Sequence, residues 1–385
     1  MIKLRILPLN DRRSHRAATG ALFFLSGLCN SSWASRIPTI QQNLKLSDGA
    51  MGGVLMAAPV GLMLSLPVAG WLIQLKGSRL VAGFSAVTYI SMLQLLGMAP
   101  STALLVSSLL LFGFSGNLLN ISMNTQAVEV EALYGRTIMA SFHGLWSLAS
   151  FTGALVGTAM MAVPVTPTGH FLIIGAVAVT LMALSFPRLL PAQEVAEDVK
   201  KTMFAKPDRS LVALGLVALL VMICEGAMAD WSGIFFKKIV RVSPSSVGLG
   251  YASFTCTMAF GRFVADGLVT RIGMKKVLQG SGLLITAGLV LAVAVPQLPT
   301  AVLGMFLVGL GSSSVVPLIL STAGKSKTVS AGMALASIST ISFMGLLFGP
   351  PLIGFIAGAT SLRVSFLFLS LMGLFIAGTV ARMRE

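Results

Sequence analysis

The chain has 385 residues, of which 55% are hydrophobic and only 10% are Asp, Glu, Lys or Arg. Water-soluble domains carry about 25% charged residues, so this composition excludes a soluble globular protein and indicates a protein that crosses a membrane several times. The formal net charge of +15 would indicate nucleic-acid binding in a soluble protein, but in a membrane protein basic residues also orient the spans.

Twelve apolar stretches are long enough to cross a bilayer, whose hydrocarbon core of about 30 Å needs roughly 20 residues of helix. They lie at residues 17–37, 50–73, 79–98, 102–126, 138–163, 169–186, 211–236, 246–266, 276–295, 300–322, 329–357 and 363–381. We call them spans 1 to 12. The fold class predicted is an all-α membrane protein with two pseudo-symmetric six-helix bundles, residues 1–186 and 211–385, joined by a cytoplasmic linker at 187–210.

The distribution of basic residues predicts the orientation of these spans. If the N-terminus is cytoplasmic, most of the 27 Lys and Arg residues fall in the two terminal tails, the linker and loops 2–3, 4–5, 8–9 and 10–11. Cytoplasmic segments of membrane proteins carry such an excess. We therefore expect both termini in the cytoplasm. The positive charge then needs no nucleic-acid partner.

The two halves match each other at one constant spacing. Gly77 pairs with Gly273 and Gly113 with Gly309, an offset of 196 residues in both cases. The same offset relates Ser47 to Ser243, Arg79 to Lys275, and Gly153 to Gly349. Single glycine matches mean little, but the set without gaps indicates an internal duplication of six spans.

Loop 2–3 carries a motif that points to a family. Residues 70–79 read Gly-Trp-Leu-Ile-Gln-Leu-Lys-Gly-Ser-Arg. With the twelve spans and the charged linker, this resembles the Gly-xxx-Asp-Arg/Lys-x-Gly-Arg/Lys-Arg/Lys signature of the major facilitator superfamily of secondary transporters. Gly70, Gly77 and Arg79 fit the signature, whereas Gln74 stands where the family has an acid.

The second copy of the motif is more highly charged. It follows Gly261, and Asp266 lies four residues after Arg262, on the same helix face. In the family these loops latch the cytoplasmic ends of helices and release them on opening. The resemblance therefore implies a gating role for Gly77, Arg79, Arg262, Asp266, Arg271 and Gly273. Because the first copy lacks its acid, Asp266 is expected to carry more of this role.

Span 4 suggests a branch of the family. Its sequence from Gly113 to Glu129 resembles the fucose-permease-like proteins of bacterial inner membranes. Drug–proton antiporters usually have a Gly-Pro pair in span 5, whereas Gly153 to Gly157 contains no proline. The resemblance implies a multi-pass inner-membrane protein that moves a small polar solute, such as a sugar or related metabolite, by symport.

Glu225 is the acid nearest to the middle of a span. It lies in span 7 between Cys224 and Gly226, with no basic residue one helical turn away. Ionisable groups inside a membrane are costly and are functional candidates by default. We predict that Glu225 binds substrate and couples transport to protons; the alternative is an acid hydrogen-bonded permanently to a neighbouring helix. Asp230, further out, is predicted to gate the extracellular side or, with Trp231, to anchor the span at the interface.

Several other polar side chains are candidates for substrate binding. Amides suit ligands that carry hydroxyl groups, but they also join helices to each other in membranes. A His–Trp pair can bind a ring or simply pack, and small hydroxyls allow either ligand contact or close helix packing. The candidates are Asn30 on span 1, Asn117 and Asn120 on span 4, His143 and Trp146 on span 5, and Ser313 on span 10. Arg36 is expected to extend to the outer surface or to meet Asp230.

The leading hypothesis is a secondary active transporter that works by alternating access. Its expected partners are a small-molecule substrate, protons and the lipid bilayer, with the chain acting as a monomer. A proton-driven efflux antiporter for drugs or metabolites is the nearest alternative, and a membrane receptor that does not transport is a further one. No phosphate loop, metal-ligand cluster or nucleophile triad occurs in the sequence, so we expect neither a cofactor nor an enzyme.

Overall fold

The computed structural model describes residues 9–135, 138–163, 165–191, 209–323 and 331–382. Side chains are described throughout these ranges except at 9–10, 140, 209–210, 266 and 331–337. Within the described ranges the regular structure is helical. The predicted linker is described only as far as Pro191 and again from Arg209, so its residues 192–208 lie outside the described part of the chain.

Thirteen α-helices account for the described structure. They are α1 Leu9–Asn43, α2 Asp48–Leu55, α3 Ala57–Met98, α4 Thr102–Tyr134, α5 Met139–Ala162, α6 Pro167–Ser185, α7 Arg209–Phe235, α8 Leu249–Ile272, α9 Met274–Ala294, α10 Leu298–Ser312, α11 Val315–Ala323, α12 Ala331–Ala359 and α13 Leu362–Arg382. Short 3₁₀ turns lie at Phe186–Arg188 and Pro244–Ser246, and a π-helical turn at Phe236–Val240 extends α7.

These helices correspond to the twelve predicted spans with two irregularities. Span 2 is divided at Met56, between α2 and α3, and α3 continues through Gly77 to include span 3. Span 10 is divided between α10 and α11 at Ser313 and Ser314, where the run of small hydroxyl residues interrupts the apolar sequence. Helix α1 begins about two turns before the predicted span and includes the basic residues Arg12, Arg13 and Arg16.

Nine segments of the described chain are long and apolar enough to cross a membrane. One of them, Asp48–Met98, contains both span 2 and span 3. The chain is helical on both sides of Gly77 and kinks at this residue. The remaining two spans lie in α1 and α8, which carry several charged residues each.

The chain forms two compact units. Among the described residues, those of 9–44 and 57–191 form unit 1, and those of 45–56 and 209–382 form unit 2. In unit 1, α3 packs along α4 and α1 along α5, with Tyr89 stacked on Phe112 at 4.2 Å between ring centroids. In unit 2, α7 packs along α12, and α9 contacts both α10 and α13.

The short helix α2 belongs to unit 2, where it lies against α12. Gly52 approaches the backbone of Gly354 so closely that a Cβ at either position would clash with the other glycine. The Asp48 carboxylate, in the first turn of α2, forms an ion pair with Lys238 at 2.5 Å. Small residues allow such close helix contacts in membranes, where apolar burial alone does not drive association.

The contacts inside each unit repeat at the offset of 196 residues. Gly113 of α4 meets the carbonyl of Ala58 in α3, and Gly309 of α10 meets the carbonyl of Phe254 in α8. A second crossing point brings Gly61 against the carbonyl of Leu110, and its counterpart is the hydrogen bond from Thr257 Oγ1 to the Phe306 carbonyl at 2.8 Å. The duplicated sequence thus folds with the same helix crossings in both units.

Candidate functional site

Glu225 lies about halfway along α7, where its side chain is half-buried. Arg262 of α8 supplies the attractive charge that acts on its carboxylate, and Tyr251 of the same helix is also in electrostatic range. Glu225 forms no hydrogen bond with another described side chain. Both interpretations of Glu225, as a coupling acid and as an acid held by a neighbouring helix, stay predictions. Arg262 is thus the cation that acts on Glu225, and its predicted role in the cytoplasmic latch stays a prediction.

Asp230 and Trp231 follow on the same helix, closer to its end. Asp230 is half-buried and within electrostatic range of Tyr251, which stacks on Phe254 at 6.3 Å between ring centroids. The Trp231 side chain is fully buried in unit 2, so the interpretation of this indole as an interfacial anchor is wrong. Helix α7 thus carries two carboxyl groups, and α8 carries a phenol on which both of them act and a guanidinium that acts on Glu225. We call Glu225, Asp230, Tyr251 and Arg262 the α7–α8 cluster.

Ser313 lies where α10 contacts α8. Its hydroxyl donates to the Leu310 carbonyl at 2.7 Å and packs against Gly261 of α8. Ser313 lies at the break between α10 and α11, and its small side chain allows this segment to approach α8 closely. The predicted substrate role of Ser313 stays a prediction.

The asparagines of α4 separate into two environments. Asn117 is buried and donates to the Ser65 hydroxyl at 2.7 Å and to the Leu62 carbonyl at 3.3 Å, both on α3. Asn120 is exposed, and its side-chain oxygen accepts from Asn124 at 3.1 Å. Asn117 therefore joins two helices, whereas the side chain of Asn120 is exposed.

The candidates on α1 and α5 flank the contact between these helices. His143 is exposed and lies edge-on to Phe23 at 5.3 Å between ring centroids. The backbone carbonyl of Trp146 meets Gly27 at a close crossing of α1 and α5. Asn30, one turn further along α1, is half-buried and has no hydrogen bond to another described residue.

Arg36 does not reach the outer surface, contrary to expectation. Its side chain is 2% exposed, and Nε donates to Nδ1 of His170 in α6 at 3.0 Å. The stem of Arg36 is long enough to extend towards solvent, but α6 covers it. His170 lies at the start of span 6. The rule that selected Glu225, an ionisable group in an apolar span, would also have selected His170.

Residues of α4 contact the loop that carries the first predicted gating motif. Gln74 is exposed, whereas the buried Ser78 hydroxyl lies 3.4 Å from a carboxylate oxygen of Glu129 and accepts from Gln126 at 2.7 Å. Gln126 also binds the Leu190 backbone through both its amide nitrogen and its oxygen. Glu129 of α4 thus lies close to the loop in which the family signature has an acid of its own. The motif in the sequence could not reveal that the acid comes from another helix.

The other residues predicted to take part in gating lie at or near the turns between spans. Arg79 lies over the Phe186 ring at 4.9 Å from the centroid, a cation–π contact that holds the start of span 3 against the turn after α6. Gly77 and Gly273 both have positive φ, and Arg271 is exposed at the end of α8. The side chain of Asp266 lies outside the described residues, so its predicted role stays a prediction.

No group of His, Cys, Asp or Glu suited to a metal ion occurs among the described residues. The polar groups near mid-span are an acid with a guanidinium in unit 2 and amides in unit 1. Polar groups inside the spans of a duplicated helical membrane protein are typical of secondary transporters. Comparison with known proteins identifies the family.

The profile described as Major Facilitator Superfamily matches residues 211–384. An uncharacterised MFS-type transporter of Yersinia pestis is 32% identical over 366 residues, 95% of each chain. Membrane protein MosC of Rhizobium meliloti is also 32% identical, over 92% of this chain and 86% of MosC. The chain therefore belongs to the major facilitator superfamily and is a transporter, not an enzyme.

Solved structures show the same fold. A bacterial homologue of the human lysosomal transporter Spinster, in an inward-facing and unoccupied conformation, aligns with a TM-score of 0.77, 15% identity and 97% coverage of both chains. The nucleoside transporter NupG aligns with a TM-score of 0.73 and 14% identity, over 98% of this chain and 100% of NupG. The predicted all-α membrane fold of this superfamily is confirmed.

Proposed function

We propose that this protein is a proton-coupled symporter for a small polar solute that carries hydroxyl groups, such as a sugar or related metabolite, with Glu225 as the coupling acid. The observation that supports it most directly is the position of Glu225, half-buried in the middle of α7 and facing Arg262. Protonation of this carboxyl group removes its attraction to Arg262 and changes the local charge by one. Solute affinity and proton binding then become linked.

The uncharged candidates support a hydroxylated solute. Asn120 and Asn30 are accessible or half-buried, and their amides can both donate and accept hydrogen bonds. His143 and Trp146 add a ring nitrogen and an apolar face for a sugar ring. The resemblance of span 4 to the fucose-permease-like branch points to the same substrate class. A thermal-shift screen of the purified protein, with sugars first and nucleosides next, would identify the solute.

The charge distribution and the duplication support a membrane setting for this transporter. We place it in a bacterial inner membrane with both termini in the cytoplasm, as a monomer with bundles 1–186 and 211–385 and a linker at 187–210. The excess of Lys and Arg on the side of the termini supports this orientation.

The test of coupling uses Glu225→Gln, which keeps the shape of the side chain but cannot release a proton. In the wild type we expect solute affinity to change with pH by about 5–150-fold, the usual range of coupling between two ligands. In the variant the affinity should be independent of pH, a pH gradient should no longer drive accumulation, and exchange of labelled solute should continue.

The matched control is Glu131→Gln, an equal change at an acid of α4 that binds backbone groups. It should retain accumulation driven by a pH gradient. Right-side-out vesicles with gradients of either sign distinguish uptake from efflux. Undiminished pH-driven accumulation in Glu225→Gln would exclude the proposed coupling role.

A further inference from the structure

Two arginines in unit 1 lie at the ends of neighbouring spans, next to the same short turn. Arg79, at the start of span 3, lies over the Phe186 ring at 4.9 Å from its centroid. Arg188, two residues after Phe186, donates from Nη1 to the Leu184 carbonyl at 2.6 Å. Neither arginine forms an ion pair with a carboxylate among the described residues. Contacts with the protein therefore hold both cations in place without a salt bridge.

The contact between α3 and the turn after α6 explains this placement. Gly83 leaves space for the Phe186 ring, since a Cβ at this position would lie 2.7 Å from Cε2 of the ring. Arg79 precedes Gly83 by one helical turn, so both lie on the face of α3 that the ring covers. His15 of α1 contacts the same turn, with Nδ1 2.7 Å from the carbonyl oxygen of Arg188. Packing thus fixes the turn that positions both arginines.

An exposed apolar surface begins directly beside these cations. On α3, the side chains of Leu80, Phe84 and Val87 are more than half exposed and share one face of the helix. On α6, which packs against α3, Val179 and Leu184 are exposed to the same degree. We call these five residues, together with the two arginines, the α3–α6 surface. It changes from apolar to cationic within one residue on α3 and within one turn after α6, as expected at the level of lipid headgroups.

We propose that the α3–α6 surface binds a phospholipid with a net negative charge, of the phosphatidylglycerol type. A guanidinium group has five N–H donors and binds phosphate well, and Arg188 is exposed and uses one nitrogen for the Leu184 carbonyl. The lipid phosphate accepts from Arg188. The positive charge of Arg79, held on the same turn by Phe186, favours an anionic lipid over a zwitterionic one. A free phosphate ion would leave the apolar residues uncovered, whereas acyl chains cover them.

This inference uses residues of unit 1 and no property of Glu225, so it and the proposed coupling role can fail independently. The proposed orientation decides only the leaflet, which is the cytoplasmic one if both termini are cytoplasmic. The lipid would lie beside the start of span 3, two residues after the turn at Gly77. It would stabilise the packing of α3 against α6.

The test adds phosphatidylglycerol or phosphatidylcholine with identical acyl chains to the full-length protein in detergent. Phosphatidylglycerol should raise the melting temperature in a saturable manner by about 2 °C or more, and phosphatidylcholine should raise it less. Native mass spectrometry should show more bound phosphatidylglycerol at equal lipid concentrations. Glycerol phosphate, which has the charge without the chains, should have no effect.

The variants assign the effect to this surface. Arg79→Gln and Arg188→Gln should each weaken phosphatidylglycerol binding about 5-fold, the usual effect of one cation near an anionic membrane surface. Arg188→Lys keeps the charge and should retain the preference for the anionic lipid. Arg382→Gln is the matched control, because it removes an exposed cation from the end of α13, and it should bind as the wild type does.

Three results would overturn the proposal. The first is equal stabilisation of the wild type by the two lipids. The second is undiminished binding of phosphatidylglycerol to Arg188→Gln, or a loss in Arg382→Gln as large as in Arg188→Gln, which would indicate attraction by the net charge alone. The third is stabilisation by glycerol phosphate equal to that by the lipid, which would indicate a site for soluble anions. If Arg79→Gln does not fold, Arg188→Gln decides, because the Arg188 side chain is exposed.

Discussion

Gly77 and Gly273 take almost the same backbone conformation, with φ 77° and ψ 155° at the first and φ 85° and ψ 152° at the second. This region of conformational space is essentially restricted to glycine, because a Cβ would collide with the neighbouring backbone. The two residues lie at equivalent positions of the duplicated sequence, each at the turn between two consecutive spans. Their presence in the family signature therefore has a steric cause in this chain.

Gly273→Ala should destabilise the protein by about 1–3 kcal/mol, the usual cost of such a conformation for a residue with a Cβ. No other atom lies near the position where this Cβ would be, so the loss would come from the backbone alone. Gly280→Ala is the matched control, since Gly280 lies in a helix with equally open surroundings. It should stabilise by about 1 kcal/mol. Thermal unfolding in detergent checks both, and changes of the same sign would contradict this explanation.

The separation of Asn117 from Asn120 shows what residue spacing can and cannot reveal. Residues three apart in a helix differ by about 60° around the axis, so they share a face only approximately. Asn117 bonds to α3 and Asn120 is exposed. The sequence predicted a polar face on span 4, but the boundary between the packed and accessible parts of that face depends on the position of α3.

Among the helical elements, α5 begins without a capping side chain of its own. Ile138 precedes its first residue. The backbone N–H groups of Ile138 and Met139, which have no partner within the helix, donate to Oε2 of Glu131 at 2.7 and 2.9 Å. A carboxylate at this position satisfies otherwise unpaired donors and complements the positive end of the helix. Glu131 of α4 thus fixes the start of the next helix.

Glu131→Ala should destabilise the start of α5 by about 1 kcal/mol, as for the loss of other N-terminal caps. Hydrogen exchange at the amides of Ile138 and Met139 should become faster, while exchange in the middle of α5 stays unchanged. Glu131→Gln keeps an acceptor oxygen and should give a smaller effect. Equal exchange in the wild type and in Glu131→Ala would show that the observed contact does not protect the helix end.

Hydropathy predicted where the helices lie better than it predicted the breaks within them. The break in span 10 at Ser313 and Ser314 could be predicted, because small hydroxyl residues interrupt its apolar sequence. The division of span 2 at Met56 could not, because it lies within an unbroken apolar run and coincides with the change from one compact unit to the other. Packing against α12 determines where α2 ends, and a single sequence contains no direct record of that contact.

For the whole molecule, the membrane orientation can be checked with two engineered cysteines in a chain whose three native cysteines are replaced. Lys76 and Thr360 are both exposed, the first before the turn at Gly77 and the second between α12 and α13. In right-side-out vesicles a membrane-impermeant maleimide should label Thr360→Cys and not Lys76→Cys. Inside-out vesicles should give the reverse. Labelling of Lys76→Cys from the outside would show that the termini are not cytoplasmic.

The composition and the apolar stretches were enough to predict the fold class, because every span that crosses a bilayer needs a minimum length and hydropathy. The duplication was visible as an offset, and the contacts of Gly113 and Gly309 explain it in terms of packing. The partners of Glu225 and Arg36 could not be predicted. These partners, Arg262 and His170, lie on other helices far along the chain, and hydropathy does not indicate which helices pack together.

The contact of α2 with α12 gives the molecule a division that differs from the division of its duplicated sequence. Residues 45–56 are part of the first repeat, yet they pack in the compact unit built from the second. A polypeptide that begins at the linker would lack the partner of Gly354 and the acid that pairs with Lys238. If the chain were cut at the linker, neither fragment would contain a complete unit. The second fragment would lack residues 45–56, the twelve residues of the first fragment that pack in unit 2.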